Sequence, residues 1–417
     1  MILASGPSPH ATGRLLSLWV AALAVVVFLS TWPFNFQSAP AGDAPWTAFW
    51  DSWGWDSHRG DIAGNIALFV PVGLIGLAAA SATTLRPVRI VGMLAVSLVM
   101  AVAAQVAQLY LPSRSATLVD VAWNTVGLLA GCSVALPLRV HGTFARGGLA
   151  DLRLLPAGIV AVWLAYRLAP FVPSIDLQLI KDNLKPLLLH PAPSVPGTLG
   201  DLAAWLTVAL LLRHALPGHR GDLLMPLLAA GTLVAEVLIV FRDGISANNV
   251  GGAAAAIVAW FALLRWLPRP APVVFVALAA AVVLSGLWPF QFSRSDSAPF
   301  HWLPFRGILG GSMWANVLAL LEKTFFYAAL AYTGWLAFRS WILSACLGAA
   351  VVTAVEGLQR LQSGHVAELT DPLLVALACL LFAALAEPEP TKRDTARPAR
   401  PPRPPATSSA GARRRGL

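Results

Sequence analysis

The chain of 417 residues is 57% hydrophobic and only 12% charged, about half the charged share of an ordinary soluble domain. Its mean hydropathy of +0.69 excludes a disordered protein and a soluble globular fold. Cys132, Cys346 and Cys379 each sit inside an apolar run with no CxxC, so neither a disulfide framework nor a metal site is expected. No cofactor is expected either.

Apolar runs of about 18 to 23 residues can each cross the hydrocarbon layer as a helix. Twelve are predicted, at 15–31, 62–80, 88–110, 117–137, 154–170, 199–216, 223–241, 247–267, 272–288, 314–336, 341–359 and 371–386. The first follows Arg14 like a signal peptide, but Ser30-Thr31-Trp32-Pro33 is not a small-x-small cleavage site, so it reads as a retained helix. Of the 29 basic residues, 19 fall on the side holding both termini, which predicts cytoplasmic termini in a multi-pass cell-membrane protein. Residues 387–417, rich in Pro and Arg, read as a disordered basic tail.

Internal similarity organises the chain. Trp32-Pro33-Phe34-Asn35-Phe36 returns as Trp288-Pro289-Phe290-Gln291-Phe292, with an echo in Ala169-Pro170-Phe171. Asn65-Ile66-Ala67-Leu68 returns as Asn316-Val317-Leu318-Ala319; the same offset of 251 carries Gln108 onto Gln359 and Asp120 onto Asp371. An offset of 128 carries Arg114 onto Arg242 and Asp120 onto Asn248. Gly60-Asp61 corresponds to Gly200-Asp201, with Trp205 in place of the asparagine. The expected fold is an all-α transmembrane bundle of three four-helix units, at 15–138, 154–267 and 272–386. An odd number of units argues against a two-halved inverted-repeat transporter.

Asp61-Ile62-Ala63-Gly64-Asn65-Ile66-Ala67-Leu68-Phe69-Val70-Pro71-Val72-Gly73 opens the second span. Gln105-x-x-Gln108, Arg114, Asp120, Asn124 and Gly127 follow. The set resembles the VanZ-like membrane family, whose units show D-x-x-x-N-x-x-x-F-x-P-x-G and then E-x-x-Q, R, D, N and G. The resemblance covers nearly all of the first unit and, more weakly, the third. There Glu356-Gly357-Leu358-Gln359 keeps the E-x-x-Q, while His365 replaces the arginine and Val375 the second asparagine. The family is named after a glycopeptide-resistance accessory protein, so the resemblance implies a helical cell-envelope protein linked to antibiotic resistance rather than a particular reaction.

On the predicted topology the repeated motifs lie at the outer face. Asp61, Asn65, Gln105, Gln108, Arg114, Asp120 and Asn124 are the candidate ligand-binding residues of the first unit, and Glu356, Gln359, His365 and Asp371 those of the third. Gln105 and Gln108 are one helical turn apart and would face together. The plainer alternative is structural. Thr117-x-x-Asp120 is a capping-box-like start, Asp371-Pro372 reads as an N-cap followed by proline at N1, and Arg114 would staple the hairpin.

Ionisable residues inside the predicted spans are costly at about 2.5–3.5 kcal/mol each on insertion scales. Arg167, Glu236, Glu322-Lys323 and Glu356, the last with Arg360 four residues on, are of this kind. They either pair inside the bundle or line a wet cavity facing the outer leaflet. Tryptophans crowd the loop at 35–60 and the one after the ninth span, where an interfacial belt or an amphipathic lid would lie.

These features point to a membrane protein binding a membrane lipid, a lipid-linked cell-wall or polysaccharide glycan precursor, or an amphipathic antibiotic in an outer-leaflet polar cavity. A membrane enzyme, with Asp61 or Asp120 as base and Arg114 as phosphate clamp, is the alternative, and a transporter or flippase a third. The tail offers a protein partner a docking site. Nothing resembles a phosphate-binding glycine loop or a nucleic-acid module, and nucleic acid is not an expected partner.

Overall fold

The computed structural model describes residues 9–37, 45–53, 59–81, 86–112, 114, 116–140, 154–189, 191–216, 218–240, 244–293, 300–306, 313–362 and 367–385. The tail, Arg242 and His365 lie outside the described residues. Fourteen α-helices are described. They are α1 (Pro9–Thr31), α2 (Pro45–Asp51), α3 (Arg59–Ser81), α4 (Arg86–Gln108), α5 (Leu118–Val140), α6 (Leu154–Leu168) and α7 (Leu177–Leu189), then α8 (Val195–Ala215), α9 (Arg220–Leu238), α10 (Ala247–Ala262), α11 (Ala271–Leu287), α12 (Met313–Phe338), α13 (Trp341–Gln359) and α14 (Thr370–Leu385). There is no strand among the described residues.

Each of the twelve expected spans falls on one of these helices. Six of them, α4, α5, α8, α9, α10 and α13, are long and apolar enough to cross a membrane, and α1, α3, α6, α11 and α14 are shorter apolar helices. The short α2 and α7 stand apart from these. The segment before α8 reads as a loop in the sequence but forms α7, an amphipathic helix whose Lys185 and Asp182 pair on its exposed side. Its buried Asn183 donates to the carbonyls of Val237 and Ile239 at the end of α9, at 3.0 and 3.1 Å. Of the 35–60 segment, α2 is the helical part that is described. It buries Phe49 and leaves Trp50 exposed.

Local chemistry starts the helices. Ser194, Ser246 and Ser340 accept from backbone N–H groups in the first turns of α8, α10 and α13, satisfying donors that have no partner inside the helix. The first span ends at a corner found three times. Pro33, Pro170 and Pro289 follow cis peptide bonds. The next residue, Phe34, Phe171 or Phe290, has φ of 63°, 60° or 62° and donates its N–H to the carbonyl of Thr31, Leu168 or Leu287.

Two interiors result. One, built from α1, α3, α4 and α5, surrounds Val26, Phe69, Val72 and Leu128. The other is shared by α6 and α8 to α14, around Trp205, Trp260, Phe325 and Tyr332. Contact between α3 and α5 is set by glycine: a Cβ on Gly73, Gly127 or Gly131 would stand 2.0, 2.2 or 2.1 Å from the carbonyl oxygen of Leu128, Ile66 or Val70. Small residues let helix backbones approach in this way, which in lipid supplies packing that the hydrophobic effect does not. The two bodies touch where the indole N–H of Trp32 donates to the Pro304 carbonyl at 3.1 Å and Phe28 meets Phe305 edge-on.

Candidate functional site

In the first body the candidate residues gather at one end. Asn65 on α3 donates to the Asp120 carboxylate on α5 at 2.7 Å. Thr117 caps α5, its hydroxyl accepting from the Asp120 N–H at 3.2 Å. In a capping box the residue at N3 would accept from the cap's own N–H; here Gln105 does so from α4, at 3.2 Å. Gln108, buried beside it, donates to the Ser30 carbonyl at 3.0 Å. The two glutamines therefore serve separate backbone groups rather than a shared cavity. Asn124 is buried one turn beyond Asp120, and its side-chain oxygen has no hydrogen-bond partner among the described residues.

Arg114 lies in the turn between α4 and α5 and reaches back to α1. Its Nε and one Nη donate to the carbonyls of Trp32 and Leu29, each at 3.5 Å. Burial lowers its pKa from the usual guanidinium value, opposed by the nearby exposed Asp61. The guanidinium thus holds the α4–α5 turn against the end of α1.

Helices α6, α8, α9 and α10 carry a buried ion cluster. Arg167 ends α6 and is 2% exposed. It binds Glu236 of α9 through two nitrogens and Asp201 of α8 through a third, the last at 2.7 Å. It also stacks over the Trp163 ring. Asn249 of α10 donates to the other oxygen of Asp201 at 3.0 Å, while Ser246 and Asn249 form a complete capping box. This places Asn249, not Asn248, where Asp120 sits in α5, at the third residue after the cap. The 128-residue offset is therefore short by one, and Asn248 instead accepts from Ser194 and Thr198.

A second ion cluster joins α12 and α14. Lys323 of α12 bonds Asp371 at 2.6 Å and lies 3.8 Å from Glu368. Tyr327, one turn further along α12, donates to the other Asp371 oxygen at 2.5 Å. Asp371 lies within the first turn of α14, so its carboxylate serves α12 instead of capping its own helix. Glu356 accepts the Glu368 backbone N–H at 2.7 Å. Gln359 donates to the Gly286 carbonyl at 2.8 Å, joining α13 to α11.

A cavity of about 740 Å³ lies between these two clusters. Arg167, Asp201 and Asn249 border it on one side, and Glu322, Lys323, Tyr327, Glu356, Gln359 and Asp371 on the other. Ala281, Val282, Val352 and Val355 supply an apolar wall from α11 and α13. Lys323 is ten residues into α12, about 15 Å along the helix from its first residue at 1.5 Å per residue. Of the sequence candidates, Glu356, Gln359 and Asp371 border the cavity, whereas those of the first unit do not. Asn249 and Tyr327 are additions that the motifs do not mark, whereas Asp201 is reached by the correspondence of Gly200-Asp201 with Gly60-Asp61. Arg167, Glu236, Glu322 and Lys323 carry a signal, as charges inside apolar spans.

An all-helical bundle with membrane-crossing helices and buried charge clusters defines an integral membrane protein. Within that class, residues 15–139 match the VanZ/LLP1 family model, so the body built from α1, α3, α4 and α5 is VanZ-like. No curated protein and no solved structure matches the chain.

Proposed function

We propose that this is a cell-membrane protein with cytoplasmic termini, built from three four-helix units, which binds the polar end of an amphiphile from the outer leaflet. A lipid, a lipid-linked glycan precursor and an amphipathic antibiotic all have that form. The observation that supports this reading is the cavity of about 740 Å³, with ionic side chains on two walls and aliphatic ones on a third. Ligand pockets fall in the range of about 300–1,000 Å³ and combine apolar lining with a few placed polar groups. Charged residues within membrane helices mark substrate or ion sites by default.

The test is native mass spectrometry of the full chain purified in mild detergent. Ser285, on the cavity wall, is replaced by tryptophan to fill the space. A defined amphiphile on the wild type that is lost in Ser285→Trp is the expected result. The same bound species on both proteins would overturn the reading.

A further inference from the structure

A second charged region lies at the other end of the helices that enclose the cavity. Arg213 is in the last turn of α8, Arg265 and Arg269 follow α10, Arg220 opens α9 and Arg339 follows α12. The described carboxylate at this end is Asp222, which is buried and occupied by the Trp260 indole N–H at 3.0 Å and by His219 at 3.8 Å. The ion pairs of this body made by Arg167 and Lys323 are at the cavity. Among the described residues no carboxylate pairs with Arg213, Arg265 or Arg339.

These three arginines are positioned by rings and carbonyls instead. Arg265 lies over the Trp266 and Phe261 rings, at 4.2 and 5.1 Å. The Trp266 indole is itself fixed, donating to the Phe261 carbonyl at 3.1 Å. Arg213 donates one nitrogen to the Arg265 carbonyl at 3.0 Å. Arg339 lies over Trp335 at 5.4 Å, and Trp335 is stacked on Trp341 at 4.9 Å. His214, next to Arg213, is close enough to both Arg213 and Arg339 to feel their charges, which brings the end of α12 up to that of α8.

A guanidinium stacked on a ring keeps its N–H edge for an anion, and its planar fork matches phosphate. Like charges gathered without an acid repel one another, and an anion among them removes that repulsion. Beside the arginines Leu263, Val273 and Val276 turn large apolar side chains outward. They suit acyl chains and offer nothing to a free phosphate ion.

We propose that the ends of α8, α10 and α12 form a site for an anionic phospholipid, with Arg213, Arg265 and Arg339 on its phosphate and its acyl chains along Val273 and Val276. The site is separate from the cavity and stands whether or not the cavity takes an amphiphile. On the proposed topology it faces the cytoplasmic leaflet, whose anionic lipids attract basic segments.

The full-length protein in nanodiscs of equal phosphatidylglycerol and phosphatidylcholine is analysed by native mass spectrometry. Phosphatidylglycerol retained over phosphatidylcholine by about tenfold or more is expected for the wild type. The preference should fall to near parity when Arg213→Gln and Arg265→Gln are combined. It should persist in Lys185→Gln, which removes an exposed charge from α7, and in Ser285→Trp. Equal retention of the two lipids by the wild type would overturn the proposal, as would a preference that survives the double substitution. A preference lost in Ser285→Trp would place the anionic lipid in the cavity, overturning this site and leaving the cavity reading supported. Inorganic phosphate that raises the melting temperature in detergent as much as phosphatidylglycerol does would make the ligand a free anion and overturn the lipid assignment. The wild-type comparison alone keeps the proposal open to refutation should the double variant fail to fold.

Discussion

Asn65 and Asp120 join α3 to α5 by a single amide-to-carboxylate hydrogen bond of 2.7 Å. Asn249 and Asp201 make the same kind of bond between α10 and α8, at 3.0 Å, with the ends exchanged. In one case the amide is on the earlier helix, in the other on the later one. The helix that carries Asp120 or Asn249 is capped three residues earlier by Thr117 or Ser246. At the start of α14 Asp371 takes its donors from Lys323 and Tyr327. The three turns thus hold a cross-helix polar bond by three different pairings.

The Asn65 bond sets a ranking. Asn65→Leu leaves the Asp120 carboxylate without that donor and should cost about 1–3 kcal/mol. Asp120→Asn keeps a carbonyl oxygen for Asn65 and should cost less. Thermal unfolding of the two variants in detergent gives the order, and the reverse ranking would contradict the bond's role.

Arg167 binds two buried carboxylates, so its removal strands both. Arg167→Met should cost about 3–5 kcal/mol, the usual result of leaving a buried charge unpaired. Adding Glu236→Gln to that variant should restore part of the loss. A double variant no better than the single one, by yield of folded protein or melting temperature, would show that the ion pair is not what holds α6 to α9.

Close approach of α3 and α5 predicts a sharp difference between two glycines. Gly127→Ala puts a methyl 2.2 Å from the Ile66 carbonyl oxygen and should destabilise by about 1–3 kcal/mol through overpacking. A methyl added at Gly158 in α6 would meet nothing within 4 Å. Gly158→Ala should gain up to about 1 kcal/mol from helix propensity. Equal melting temperatures for the two variants would count against the packing described.

Orientation can be read from one cysteine. Ser285→Cys is placed in a background with Cys132, Cys346 and Cys379 changed to alanine. An impermeant thiosulfonate added outside intact cells should modify it, as expected of a residue on the wall of a cavity open to the outer leaflet. Modification only after the membrane is opened would reverse the proposed topology.

The helices are legible because a helix crossing a membrane must be apolar along its whole length, and the sequence shows that directly. The α7 helix is not, since its Lys181, Asp182, Lys185 and Pro186 break the apolar run that marks a span. For the site, motif spacing favours the first unit, where Gln105, Gln108 and Arg114 turn out to satisfy backbone groups. The cavity is a product of tertiary packing. Arg167 meets Glu236 across 69 positions and Lys323 meets Asp371 across 48. The cost of charge in a membrane points to Arg167, Glu236, Lys323 and Glu356 without revealing which would face each other.

The glycine contacts of α3 and α5 also bear on motion. Where Gly73, Gly127 and Gly131 touch carbonyl oxygens of the opposing helix, neither helix can slide or rotate past the other without a backbone collision. That pair is a fixed strut. The residues that border the cavity all lie in the other body, so any movement that widened the cavity would have to come from that body's helices and not from the strut.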